Sequence, residues 1–240
     1  MTLSFPYTAI LFDCDGVLVD SEVVGLEEGV ALLNAHGFEL TVEEAIRRFT
    51  GLRKDGLRAA FADDYTRRLG RPSTPQEVDQ LLEAFIECRR ARRHLMSSVP
   101  GALDVTSWVA GLSGVPMAVA SSSAKVQLHR KIHEFGFASH FGEHVYSGDQ
   151  VAVGKPAPDI FLFAATQLGV PIERCLVIED SPNGVAAGCA AGAAVWGFTG
   201  AGHCLDDHDQ RLRAAGAGEV IGSHADLRVS LEKLLNKPTI

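Results

Sequence analysis

The feature that most constrains this chain is Ala9-Ile10-Leu11-Phe12 running straight into Asp13-Cys14-Asp15-Gly16. A short unbroken apolar run bounded by turn residues reads as a strand buried on both faces, as in a parallel sheet. Residues two apart on an extended chain project to the same side, so Asp13 and Asp15 point together at the strand's carboxyl end. That end is where open α/β sheets bind ligands. Two close carboxylates repel, and the pair calls for a cation or a shared proton. Gly16 lets the chain turn where a side chain would obstruct it. A plain turn or helix cap can also carry two aspartates, so the rest of the chain has to decide.

The chain alternates after a long helical interruption. Leu26, Val30 and Leu33 recur at helical spacing, up to a C-cap near Gly37. Residues 41–49 read as a short helix, with Thr41 and Glu44 as a capping box. Gly51 to Gly56 reads as a loop, 57–69 as a helix, and Pro75 to about Met96 as a longer helix. Ser97-Ser98-Val99-Pro100-Gly101 reads as a hinge. Beyond it, strands are expected at 115–120, 145–147, 175–178, 194–198 and 219–221, with helices between them. The expected fold is α/β: a doubly wound parallel-sheet core, residues 1–19 and 98–240, with an inserted all-helical cap, residues 20–97.

Three later strand ends carry chemistry. Ser121-Ser122-Ser123 can cap a helix or, with the following N–H groups, cradle an anion. Lys155, held between Gly154 and Pro156, is either a solvated loop charge or a fixed ammonium beside a phosphate. Glu179-Asp180 can join Asp13 in an oxygen-rich site of the kind Mg²⁺ accepts. A carboxylate such as Asp13 can attack phosphorus, and Asp15 is placed to act as general acid and then base.

With these four pieces in order, the chain resembles the haloacid dehalogenase superfamily over essentially its whole length, in the β-phosphoglucomutase-like phosphatase branch. Within that branch the strings around Asp13 and Arg48-Phe49-Thr50-Gly51 are most similar to bacterial 6-phosphogluconate phosphatases. The resemblance implies Asp13, Asp15, Ser121 and Lys155 as catalytic residues. It implies Asp13, the main-chain carbonyl of Asp15, Glu179 and Asp180 as Mg²⁺ ligands. Gly16, Ser21, Glu22, Arg53, Lys54, Ser122 and Ser123 are the matching substrate-binding positions. Haloacid dehalogenases proper lack a carboxylate at the Asp15 position, so Asp15 favours phosphoryl chemistry. Mutases of the branch carry a hinge histidine where this chain has Gly25, which favours hydrolysis over phosphotransfer. A non-catalytic phosphometabolite-binding protein is a further alternative, and it predicts a lost catalytic group that this sequence does not show.

The expected substrate is therefore a small phosphorylated metabolite, a sugar phosphate or sugar-acid phosphate. With 22 Lys and Arg against 30 Asp and Glu the formal charge is −8, which disfavours nucleic acid and anionic membranes as partners. A monomer or weak homo-oligomer is expected. The five cysteines are scattered and form no Cys-x-x-Cys pair, as in a reducing compartment. Met1 to Tyr7 has no basic or long apolar region, and no apolar run reaches about 20 residues, so a cytoplasmic location is expected. Cys14 alternates away from the aspartates and reads as core. The Gly202-His203-Cys204-Leu205-Asp206-Asp207-His208-Asp209 stretch lacks regular ligand spacing and reads as a surface loop. The Arg89-Arg90-Ala91-Arg92-Arg93-His94 run reads as a solvated helix face, with one or two arginines available for a distal anion.

Overall fold

The structure is a computed structural model and describes residues 5–235. The chain divides into two compact units, residues 1–19 with 98–240, and residues 20–97. β1 (Ala9–Phe12) opens the first unit and β2 (Val19–Asp20) leaves it. The second unit holds α1 (Leu26–Ala35), α2 (Val42–Phe49), α3 (Lys54–Leu69) and α4 (Pro75–Ala91), and β3 (Ser97–Ser98) pairs with β2. The first unit then continues through α5 (Ala102–Ala110), β4 (Met117–Ser121), α6 (Lys125–Glu134), α7 (Ala138–Phe141) and β5 (Val145–Ser147). It ends with α8 (Asp159–Leu168), β6 (Cys175–Glu179), α9 (Pro182–Ala191), β7 (Ala194–Phe198), α10 (His208–Ala214), β8 (Glu219–Ile221) and α11 (His224–Leu235).

The sheet of the first unit is six-stranded and parallel, in the order β5-β4-β1-β6-β7-β8. This is the expected doubly wound α/β class. β1 is central because all four of its residues are apolar and none is exposed. Ala9 and Leu11 face a cluster with Ala118, Ala120, Val177, Phe161 and Ala164. Phe12 meets the ring of Phe141 edge-on at 5.9 Å. The connection direction reverses at β1: the chain goes from β1 to β4 and β5 on one side, then to β6, β7 and β8 on the other. That switch opens a crevice at the carboxyl ends of β4, β1 and β6.

The second unit is built on aromatic packing. Phe61 lies 5.3 Å from both Phe49 and Phe85, and Tyr65 lies 5.3 Å from Phe38. Asp64, fully buried, takes a 2.7 Å hydrogen bond from Arg48. Thr41 and Glu44 form the expected capping box on α2. Among the described residues no helix is long and apolar enough to cross a membrane.

Three boundaries differ from expectation. α3 begins at Lys54 rather than Leu57, so Lys54 lies in a helical first turn, where Asp55 suits the helix dipole. α4 stops at Ala91, well past its last buried residue, Phe85, and Arg93–Leu95 tightens to a 3₁₀ turn. β4 begins at Met117, since Pro116 has no N–H and offers the sheet only its carbonyl, which accepts from Ile10 N at 3.1 Å. Ser121 is therefore the last residue of the strand itself.

Candidate active site

Asp13 follows β1 directly, and its N–H donates to Ile178 O at 3.0 Å. The Phe12–Ile178 register thus sets Asp13 beside Glu179. Gly16 then reverses the chain with φ +79°, donating its N–H to Val19 O at 2.8 Å. The Asp180 carboxylate packs into the space this glycine leaves, since a Cβ there would sit 1.9 Å from Asp180 Oδ2. Cys14 is fully buried beneath the aspartates, as expected, and burial pushes its thiol up.

Lys155 joins the strand ends. The loop before α8, with its cis Lys155–Pro156 bond, delivers an ammonium that is almost fully buried. Lys155 Nζ donates to Asp13 Oδ1 at 2.5 Å, Glu179 Oε1 at 2.5 Å and Ala120 O at 2.9 Å. It also lies 4.8 Å from the centroid of the Phe161 ring. Its pKa is raised: burial alone would lower it, but Asp13 and Glu179 outweigh that. Glu179 is held on its other oxygen too, accepting from Ser181 N at 3.0 Å and Ser181 Oγ at 3.1 Å. Its carboxylate rests on the first turn of α9, where a Cβ on Gly184 would lie 1.8 Å from Oε1.

Ser121 is buried at the end of β4 and accepts from Ser123 N at 3.1 Å. Ser122 is half-buried in the turn that follows. Ser123 Oγ donates to Asp15 Oδ2 at 2.6 Å, and Ser147 Oγ pins Ser123 O at 2.7 Å. Asp15 has a second partner that the sequence reading missed, Lys131 of α6, which donates to Asp15 Oδ1 and, at 2.9 Å, to Ser123 Oγ. A signal existed for it. Lys131 falls with Leu128 and Ile132 on the buried face of α6, at the spacing of core residues.

Residues 202–209 depart from expectation. This stretch is no surface loop: His203 is fully buried and His208 is 3% exposed. Both imidazoles close on Asp180. His203 Nε2 meets Asp180 Oδ2 at 2.9 Å, and His208 Nε2 donates to Asp180 O at 2.6 Å. Burial opposes the charged form of His203, but its bond to Asp180 prevails and its pKa is pushed up to about 11.

Asp13, Asp15, Gly16, Ser121, Ser122, Ser123, Lys155, Glu179 and Asp180 thus all lie in the first unit, at or just beyond the ends of β1, β4 and β6. Ser21, Glu22, Arg53 and Lys54 lie in the second. There Lys54 Nζ pairs with Glu83 at 3.2 Å in an exposed contact, and Arg53 is the N-cap of α3. Arg89 binds the carbonyls of Ser21, Glu22 and Val24 at 2.8 to 3.3 Å, so it holds backbone. Arg90 and Arg92 pair with Glu87 and Glu28.

Burial, first, and then the nearby carboxylates of Glu179, Asp180 and Asp15 raise the Asp13 carboxyl well above its usual range, against the attraction of Lys155. Such crowding of hard oxygen donors is the environment a small divalent cation offsets, so the residues fit Mg²⁺.

A family model described as haloacid dehalogenase-like hydrolase matches residues 7–192. The chain belongs to that family. It is 26% identical over 208 residues to the 6-phosphogluconate phosphatase of Escherichia coli K12, covering 85% of this chain and 86% of that one. It is 29% identical to the phosphorylated carbohydrates phosphatase of Thermotoga maritima, covering 94% and 99%. Among solved structures, a haloacid dehalogenase family hydrolase from Deinococcus radiodurans, with bound phosphate and sodium, is 37% identical. That likeness covers 98% of this chain and all of that one, at a TM-score of 0.76. The chain is thus an enzyme of a hydrolase family whose named relatives here are phosphatases.

Proposed function

We propose that the chain is a Mg²⁺-dependent phosphatase that hydrolyses a small phosphorylated carbohydrate or sugar acid through an aspartyl-phosphate on Asp13. The observation that carries this reading is the unequal setting of two carboxylates on one strand end. Asp13 is buried against Lys155, whereas Asp15 is more accessible and oriented by Ser123 and Lys131. A carboxylate fixed by a buried ammonium is held for attack, and the more accessible one can exchange a proton with the leaving oxygen and with water.

In the first step an Asp13 oxygen bonds to phosphorus while the ester P–O bond breaks. Asp15 gives its proton to the departing oxygen. In the second step water bonds to the same phosphorus, Asp15 takes its proton, and the bond to Asp13 breaks. Lys155 fixes Asp13 and opposes charge as the phosphoryl group arrives. Ser121 and the N–H groups after β4 bind phosphoryl oxygens. Asp13, the Asp15 carbonyl, Glu179 and Asp180 would hold Mg²⁺, which when bound disperses negative charge on the transferring group. We assign substrate selection to the inserted residues 20–97 as a cap, with Ser21, Glu22, Arg53 and Lys54 as contacts.

Hydrolysis rather than phosphotransfer is supported at Gly25. It caps α1 with φ +66°, and a Cβ there would lie 2.8 Å from Arg89 Cα. A histidine cannot enter this position without moving α4. The test is phosphate release with Mg²⁺ over phosphorylated sugars and sugar acids, with Asp13→Asn alongside. Release that vanishes in the variant and with chelator is expected. Conversion of β-glucose 1-phosphate to glucose 6-phosphate without release would overturn the reading in favour of a mutase.

A further inference from the structure

We propose that His203, Cys204 and His208 form a second metal site, for a thiophilic divalent ion such as Zn²⁺, with the Asp180 carboxylate beside it. The inference rests partly on the proposed role of Asp180, but the site itself is read from its own atoms.

One donor atom from each of the three residues lies within 4.8 Å of the other two. The Cys204 Sγ to His203 Nε2 separation is 3.7 Å. Zinc–sulfur and zinc–nitrogen bonds of about 2.3 and 2.0 Å at a tetrahedral angle place S and N about 3.5 Å apart, so this pair is nearly set. Asp180 Oδ2 is 2.9 Å from the same nitrogen, so a carboxylate oxygen adjoins the group. His208 spends Nε2 on Asp180 O, which leaves the buried Nδ1 as its ligand atom, and the His208 ring interacts with the Cys204 thiol. His203 Nδ1 is buried and unpartnered. Cys204 is the partly exposed member and gives the ion a way in.

A set of two nitrogens and one sulfur selects Zn²⁺ or Co²⁺ over Mg²⁺, which does not take thiolate. On binding, the Cys204 thiol and His203 Nε2 release their protons and the metal takes both positions.

The probe is Co²⁺ added to metal-free protein, read by the near-ultraviolet thiolate-to-cobalt charge-transfer band. One equivalent should develop the band in the wild type and in Asp13→Asn, which separates this result from the fate of the phosphatase reading. Cys204→Ser, checked for native circular dichroism, should lose the band. It should bind Zn²⁺ more than about tenfold more weakly, the loss that even outer-shell partners cause. Excess Mg²⁺ should leave the band in place. Absence of the band in the wild type, or its survival in Cys204→Ser, overturns the proposal.

Discussion

At the residue scale, the site depends on side chains whose neighbours leave them little freedom. Lys155→Met removes the cation that touches both Asp13 and Glu179. It should lower kcat about 10²–10³-fold, the usual loss for a fixed charge-stabilising group, as steady-state phosphate release would show. Gly184→Ala is subtler, because its new Cβ lands on Glu179 Oε1. A displacement near 1 Å costs about 10²-fold, so kcat should fall while circular dichroism stays native. His224 makes a prediction about pH. It is buried, donates from Nε2 to Val17 O at 2.7 Å, and burial pushes its pKa down to about 4. The folded chain therefore binds fewer protons than the unfolded chain, whose histidine titrates near 6.5. The neutral ring's contribution is complete above pH 6.5 and is lost as pH falls towards 4, on the order of 3 kcal/mol in all. Urea unfolding at pH 7 and pH 5 should show a smaller drop for His224→Gln than for the wild type.

At the element scale, packing overrides propensity. Gly29 lies inside α1, where alanine would gain about 1 kcal/mol in helix propensity. Its Cβ would meet the Phe85 ring at 2.6 Å, however, within the aromatic core of residues 20–97. Overpacking of this kind costs about 1–3 kcal/mol, so Gly29→Ala should lower the urea midpoint of unfolding. The elements themselves were readable in part. Unbroken apolar runs marked β1 and β6, and Thr41 with Glu44 marked the start of α2. The start of α3 and the end of α4 were not, because no side-chain cap marks the first and no breaker residue the second. α10 was missed for a related reason: its polar sequence hides that His208 and Leu212 are buried.

At the scale of the whole molecule, the convergence of Asp13, Asp15 and Glu179 was legible because strand geometry gathers carboxyl ends, whereas Lys155 reaches them from a loop. Lys131 and His203 were not, since their partners Asp15 and Asp180 come from distant segments and only the fold brings each pair together. Crowded carboxylates in the first unit predict that Mg²⁺ binds the folded chain and stabilises it. At about 100 times the dissociation constant the gain is about 2.7 kcal/mol, seen as a Tm increase that Asp180→Asn reduces. The central claim is that Asp13 carries the phosphoryl group. The most direct measurement is peptide mass spectrometry after acid quench during turnover. The account predicts one phosphoryl group on the peptide containing Asp13, and neither adduct nor turnover in Asp13→Asn. Phosphate release that continues in Asp13→Asn with no adduct on that peptide would contradict it.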